Sequence, residues 1–481
     1  MRIVIVGAGY TGTQIAKYLI QEKHNISLVE SDEETARHVS NRLDCMVLHD
    51  TGSSMDSLEE AGIGKADALV CVTESDEKNM IICGLAASRY PRLVKIARVR
   101  NDDYTMMNKR LAEDSRILGI DYFVHPDVEA AHAVLNVLPH GASGNILRFP
   151  GSPHELGSIT VESGSPLDGL ALVDFHSIVQ KEGLISLVER GQECFLPSGS
   201  TVIMAGDRIH VMTREEDMDQ IFRLAGRSEA PLRHIGIVGG GRIGSLIAEG
   251  LLNPSGGDAN KLLKGIAGLF RPFIPRINRR VIIIEKNYTL CKDLSARFPE
   301  ALVLNEDISD ENFIAEERLG DLDLIITATS NQELNIITAI YLKSLGVMRA
   351  IALVSSPGYK TIAQKLGVDV AIPANSVVAD SILSHLMGRG IQGIHSLGDG
   401  TVGIVEVEVE SGSQADGKII SEFKLAGGAL VLLVHRGETS YIPQGDYVFQ
   451  GADKVMVIAK NGSEGEIEKF FGPRAAPAKG T

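Results

Sequence analysis

Short apolar runs alternate with amphipathic stretches along most of this chain, and the alternation is written twice. In the first block IVIVGA, NISLVES, CMVLHD, ALVCVTES and RLVKIARVR read as strands. Their apolar cores are of strand length and are bounded by turn residues. Between them TGTQIAKYLIQE, DEETARHVSNRL, SSMDSLEEAGI and NMIICGLAASRY read as helices. Strands that alternate with helices of this length predict a parallel sheet covered on both faces. YTMMNKRLAEDSRIL and FVHPDVEAAHAVLNVL read as terminal helices of the block.

The pattern changes over residues 139–228. SITVESG, ISLVERG, TVIMAGD and RIHVMT are short and β-rich, separated by the turn signals SGSPLDG and LPSGS. Residues 232–388 then repeat the first block, and 389–470 repeat the second. FLPSGSTVIMAGDRIHV and YIPQGDYVFQGADKVMV agree in alternation and spacing around Pro197 and Pro443. Such agreement marks a duplicated unit more strongly than either segment alone. The expected fold class is α/β. Two Rossmann-like parallel-sheet domains (1–138 and 232–388) are each followed by a small β-rich α+β domain (139–228 and 389–470). The copies differ at 251–280, a locally basic insert containing GIAGLF. It reads as a surface loop, with a membrane- or partner-facing hairpin as the alternative. The tail GPRAAPAKGT reads as disordered.

At 481 residues the chain has room for several cores. A formal net charge of −15 argues against nucleic acid as a partner and against broad attraction to anionic lipid. The five cysteines include no CxxC pair, so no metal is expected. No secretory signal is apparent. No apolar run approaches the roughly 20 residues a membrane-spanning helix needs.

The chemistry concentrates at two glycine turns. Gly7, Gly9 and Gly12 form GxGxxG between a strand and a helix. Gly7 permits the tight turn, Gly9 lets backbone approach a diphosphate, and Gly12 lets helix pack on strand. The helix start supplies free N–H groups to an anion. Glu30 ends the next strand, where a carboxylate accepts hydrogen bonds from ribose hydroxyls and repels a 2′-phosphate. This favours NAD or NADH over NADP. Asp50 in LHDTGS falls beside the adenine edge, or caps a turn. Thr73 in VCVTESDEKN follows the fourth strand and faces the ligand with backbone and hydroxyl, whereas Asp76, Glu77 and Asn79 lie at a helix start, where capping alone would explain them. Arg98 is a phosphate-binding candidate at the carboxyl end of its strand, a salt bridge being the alternative. In the second copy Gly239, Gly241 and Gly244 repeat the spacing and Gly240 loosens the turn. Arg242 adds a positive charge within the loop. Glu285, Asp307, Thr327, Thr329, Glu333 and Asn335 echo the first copy, but IALVSSPGY has no arginine at the place of Arg98. This second site admits NAD, ATP or ADP.

There is no GxxxxGK[ST] loop, no compact Ser-His-Asp or Cys-His arrangement and no convincing acid–base pair for hydride transfer. The chain does not read as an enzyme. An NAD-dependent oxidoreductase and a stand-alone nucleotide sensor remain the alternatives.

The run MRIVIVGAGYTGTQIAKYL … VE … HDTG … VTESDEKN … KIARVR, followed by a small β-rich domain and repeated, resembles the TrkA family. These are the cytoplasmic NAD-binding subunits of Trk-type potassium uptake systems, built from tandem RCK (KTN) domains. The resemblance covers nearly all of residues 1–465. It implies a ring, commonly a homotetramer, on the cytoplasmic face of a potassium-transporting membrane subunit, with nucleotides gating transport. It also implies that Gly7, Ala8, Gly9, Tyr10, Thr11, Gly12, Glu30, Asp50, Thr51, Thr73, Glu74 and Arg98 line one nucleotide site. Gly239, Gly241, Arg242, Ile243, Gly244, Glu285, Asp307 and Thr329 would line the other.

Overall fold

The computed structural model describes residues 1–21, 23–105, 116–138, 146–149, 152–191, 193–226, 232–252, 279–387, 395–397, 402–422, 428–437, 439–460 and 463–472. They fall into two compact units, Met1–Ala142 with Pro231–Arg389 and Ser143–Ala230 with Gly390–Thr481.

In chain order the first module runs β1 (Arg2–Val6), α1 (Tyr10–Gln21), β2 (Asn25–Glu30), α2 (Glu33–Ser40), β3 (Met46–His49), α3 (Met55–Glu60), β4 (Ala68–Cys71), α4 (Asp76–Arg89), β5 (Val94–Arg98), β6 (Tyr122–Val124) and α5 (Pro126–Val137). A small domain follows: β7 (Ile146–Arg148), β8 (His154–Thr160), α6 (Phe175–Val179), β9 (Gly183–Arg190), β10 (Glu193–Phe195), β11 (Arg208–Arg214) and α7 (Met218–Leu224). The second module comprises β12 (His234–Val238), α8 (Arg242–Leu252), β13 (Arg280–Ile284), α9 (Tyr288–Arg297), β14 (Leu302–Leu304), α10 (Glu311–Glu316), β15 (Leu324–Thr327), α11 (Gln332–Ser344), β16 (Arg349–Val354), α12 (Pro357–Lys365), β17 (Val370–Pro373) and α13 (Ala374–Met387). The last domain has β18 (His395–Leu397), β19 (Val402–Glu408), β20 (Leu430–Arg436), β21 (Thr439–Tyr441), β22 (Lys454–Lys460) and α14 (Glu464–Phe471).

Both large sheets are six-stranded and parallel, in the orders β3-β2-β1-β4-β5-β6 and β14-β13-β12-β15-β16-β17. The fold is α/β with two Rossmann-like sheets and two smaller antiparallel ones. The sixth strands, β6 and β17, do not stand out in the apolar pattern. Tyr122–Val124 is only three residues long and leads straight into a helix, so its pairing along β5 is visible only in the fold. The helix expected from YTMMNKRLAEDSRIL lies largely outside the described residues, as do most of the 251–280 insert and the chain's tail.

Strand positions alternate between two cores, as a period of two requires. Val4 and Val6 join Leu69, Cys71, Ala97 and the α3–α4 side. Ile3, Ile5, Val70 and Ile96 join α1 on the other face. That second face is completed by the other module: Val378, Ala379, Ile382, Leu383 and Leu386 of α13 pack into it. Reciprocally, Val128, Ala131, Val134, Leu135 and Leu138, from α5 and the residue after it, pack with Ile235, Ile237, Ile247 and Leu251 of the second module. The modules thus exchange their last helices. The fit is close, since a Cβ at Gly250 would come within 2.4 Å of Leu135 Cδ1. At about 2 kcal/mol for each fully buried large aliphatic side chain, this packing outweighs any ion pair along the seam.

In the second unit the sheets run β10-β9-β11-β8-β7 and β18-β19-β22-β20-β21. Phe149, Leu156, Leu187 and Met212 of one small domain share a core with Ile404, Leu432, Leu433, Met456 and Ile458 of the other. Each domain repeats a fork-to-carboxylate clip. Arg190 donates to both oxygens of Asp207 at 2.8 and 2.7 Å, and Arg436 does the same to Asp453. The residue before the aspartate has positive φ in both copies: Gly206 at +86° and Ala452 at +70°.

Candidate functional site

Each glycine turn lies at the carboxyl end of its sheet, where strand order reverses between the first strand and the fourth. This is the place an open α/β sheet offers a ligand. Gly7 and Gly239 have φ of +102° and +96°, a region that suits glycine. A Cβ on Gly12 would fall 1.9 Å from the Gly7 carbonyl oxygen, and one on Gly244 would fall 1.9 Å from that of Gly239. The third glycine is therefore a packing requirement in both copies. The second glycine differs in kind: a Cβ on Gly9 or Gly241 meets nothing within 4 Å. The backbone there faces open space of the sort a diphosphate would need. Gly240, in contrast, answers a packing demand, since a Cβ there would lie 2.4 Å from Leu294 Cδ1.

The carboxylates at the ends of β2 and β13 hook onto their own turns. Glu30 Oε2 accepts from the Ala8 N–H at 2.6 Å and its Oε1 from the Asp32 N–H at 2.9 Å. Glu285 Oε2 accepts from the Gly240 N–H at 2.8 Å and its Oε1 from the Asn287 N–H at 2.8 Å. Each turn is also braced by a hydroxyl: Thr13 donates to the Ala8 carbonyl at 2.8 Å and Ser245 to that of Gly240 at 2.9 Å. Thr13 and Ser245 were not evident from the chain, because one more hydroxyl in a helix carries no signal.

Asp50 is occupied locally. It accepts from the Ser57 hydroxyl and the Thr51 N–H, both at 2.6 Å, and these bonds hold its carboxyl below the usual range. The Thr51 hydroxyl lies 2.7 Å from that of Ser53. Asp307 accepts from the Ser309 N–H at 2.9 Å, with its pKa lowered by the same kind of bond.

Thr73 and Thr329 are organised by buried asparagines. Asn79 Oδ1 accepts from the Thr73 N–H at 2.9 Å and its hydroxyl at 2.7 Å. Asn79 Nδ2 donates to the Thr73 and Arg98 carbonyls at 3.1 and 2.8 Å. Asn335 repeats the set on Thr329 and the Leu353 carbonyl. Both asparagines are fully buried, so they splice the fourth and fifth strand ends together beside the turn. The shared carbonyl contact also identifies Leu353 as the counterpart of Arg98. Leu353 is buried among aliphatic neighbours. Arg98 is half-buried and donates to the Thr73 carbonyl at 3.0 Å. Burial, then Arg100, holds its pKa below the ordinary value, opposed by Asp76, Asp127 and Glu74. Glu74 itself is exposed.

The loop residues at the seam between modules point across it. Tyr10 Oη lies 3.2 Å from Ser376 Oγ at the start of α13. Arg242, in the equivalent place, lies 2.6 Å from Asp102 and 3.5 Å from Asp127, with His125 Nε2 at 3.1 Å from its guanidinium. His125 Nδ1 accepts from the Val128 N–H at 3.4 Å as the cap of α5, and its Nε2 lies 3.1 Å from Asp102. Burial lowers the His125 pKa and Asp127 opposes it, while Arg242 lowers it further. The charge expected inside the second loop is thus neutralised by the first module. Thr11 and Ile243 are partly buried at the helix starts. Among the described residues no His/Cys/Asp/Glu group of three or more could hold a metal, and no helix is long and apolar enough to cross a membrane.

The fold and these turns define a tandem pair of Rossmann modules with paired small domains. Residues 3–126 and 274–374 match the TrkA-N domain, and 156–226 and 404–472 match the TrkA-C domain. A Trk system potassium uptake protein TrkA from Halomonas elongata is 27% identical over 478 residues, 98% of each chain. A TrkA homolog from Archaeoglobus fulgidus is 29% identical over 471 residues, covering 98% of this chain and 100% of that protein. Among solved structures, the GsuK channel bound to NAD is similar with a TM-score of 0.56 and 16% identity, covering 98% of this chain and 78% of that one. The chain belongs to the TrkA family of potassium-uptake regulatory proteins.

Proposed function

We propose that this protein is the nucleotide-responsive regulatory subunit of a potassium uptake system and gates a potassium-transporting membrane protein. The observation that carries the reading is the duplicated turn: Gly9 and Gly241 face open space beside Glu30 and Glu285. Full-length similarity to TrkA proteins of potassium uptake supports the transport role. The four blocks act as two Rossmann–small-domain pairs. The first turn takes NAD or NADH, with Glu30 toward the ribose and Arg98 toward phosphate. The second takes NAD, ATP or ADP. The chain works as a ring, a homotetramer, held to the inner face of the cell membrane by a Trk-type partner.

A ligand biases such a ring only by preferring one of its shapes. The test uses Gly9→Asp, whose Cβ meets nothing within 4 Å and whose charge repels a diphosphate. Calorimetry should show NADH binding to the wild type and at least tenfold weaker binding to the variant. Potassium flux with the membrane subunit should lose its NADH response in parallel. Unchanged NADH affinity in the variant would refute the site, and flux indifferent to nucleotide would refute the regulatory role.

A further inference from the structure

Arg242 starts α8 in the second glycine turn, beside the N–H groups that would meet a phosphate there, yet its charge is spent on the first module. Asp102 and Asp127 approach it from two sides, and His125 presents Nε2 to both Asp102 and Arg242. The first turn has no such pairing. Its equivalent residue is Tyr10, and Tyr10 makes a neutral contact with Ser376. Asp127 also acts electrostatically on Arg98, the basic residue at the first turn.

We infer that Asp102 and Asp127 hold Arg242 as an internal substitute for a phosphate, so that the first module restrains diphosphate binding at the second turn. This rests on the reading of both turns as nucleotide sites. An incoming diphosphate competes with two fixed carboxylates for one guanidinium.

The experiment isolates the second turn by placing every variant in the Gly9→Asp background and titrating the full-length protein with ADP by calorimetry. Asp102→Asn keeps the shape of the side chain and removes its charge. The expected result is about five-fold tighter ADP binding. Arg242→Gln should weaken binding, and Asp102→Asn should then have no further effect. An Asp102→Asn affinity equal to that of the parent, with ADP still bound, overturns the restraint while leaving the site intact. An Asp102→Asn gain that persists in Arg242→Gln overturns the role of the arginine. No ADP binding in any variant, with each still folded by its melting temperature, overturns the reading of the second turn and the inference with it.

Discussion

The two glycine turns share nearly every backbone feature and differ in charge. Both have the positive-φ first glycine, the open second glycine, the third glycine against a carbonyl oxygen, the carboxylate hook and the buried asparagine splice. The first keeps Arg98 near its mouth and a neutral Tyr10 at the seam. The second has Leu353 in place of the arginine and spends Arg242 on the opposite module. The shared features are those the turn needs in order to exist. The differing ones set the charge around each turn.

The largest expected effect tests the shared part. Gly12→Ala and Gly244→Ala each force a Cβ against a backbone oxygen that cannot yield as a side chain would. Each should cost about 3 kcal/mol by thermal or chemical denaturation. A clear inequality between them would break the equivalence of the turns.

The next effect belongs to the first copy's exchanged helix alone. His132 on α5 is buried, and burial lowers its pKa to about 4. The unfolded chain then binds the proton more readily, so stability is present above pH 6.5 and is lost as the pH falls through the window to about 4. The loss amounts to about 3 kcal/mol. Denaturation of His132→Gln across that range should show a flatter profile, and an unchanged slope would exclude the histidine as its source.

Asn79→Ala and Asn335→Ala should each cost about 2 kcal/mol, because each leaves buried backbone groups without partners. Asn79→Ala should in addition weaken NADH binding through the Thr73 and Arg98 strand ends. The smallest effect separates the copies most sharply. Arg98→Ala should lower NADH affinity about tenfold, near 1.4 kcal/mol, with little change in melting. Leu353→Ala should act the other way round, lowering stability by about 2 kcal/mol and leaving ADP affinity nearly intact. If both variants moved affinity alike, the charge contrast between the turns would lose its meaning.

Much of this was legible in the chain. GxGxxG after an apolar strand, with a carboxylate closing the next strand, is local information, since backbone conformation and close packing there demand particular residues within a few positions. The duplication was legible for the same reason, because each copy must satisfy those demands separately. The asparagine splice was only half visible. Asn79 at a helix start reads equally as a cap, and its choice of the Arg98 carbonyl is a contact between distant segments.

What the sequence determined by itself was the α/β class, the two turns and the absence of an arginine opposite Arg98. The tertiary structure alone decided that α5 and α13 change places and that Arg242 meets Asp102 and Asp127. The physical reason is that an apolar helix face shows what it must bury but not which sheet will bury it. A charge in a loop likewise shows its sign, and only packing chooses its partner.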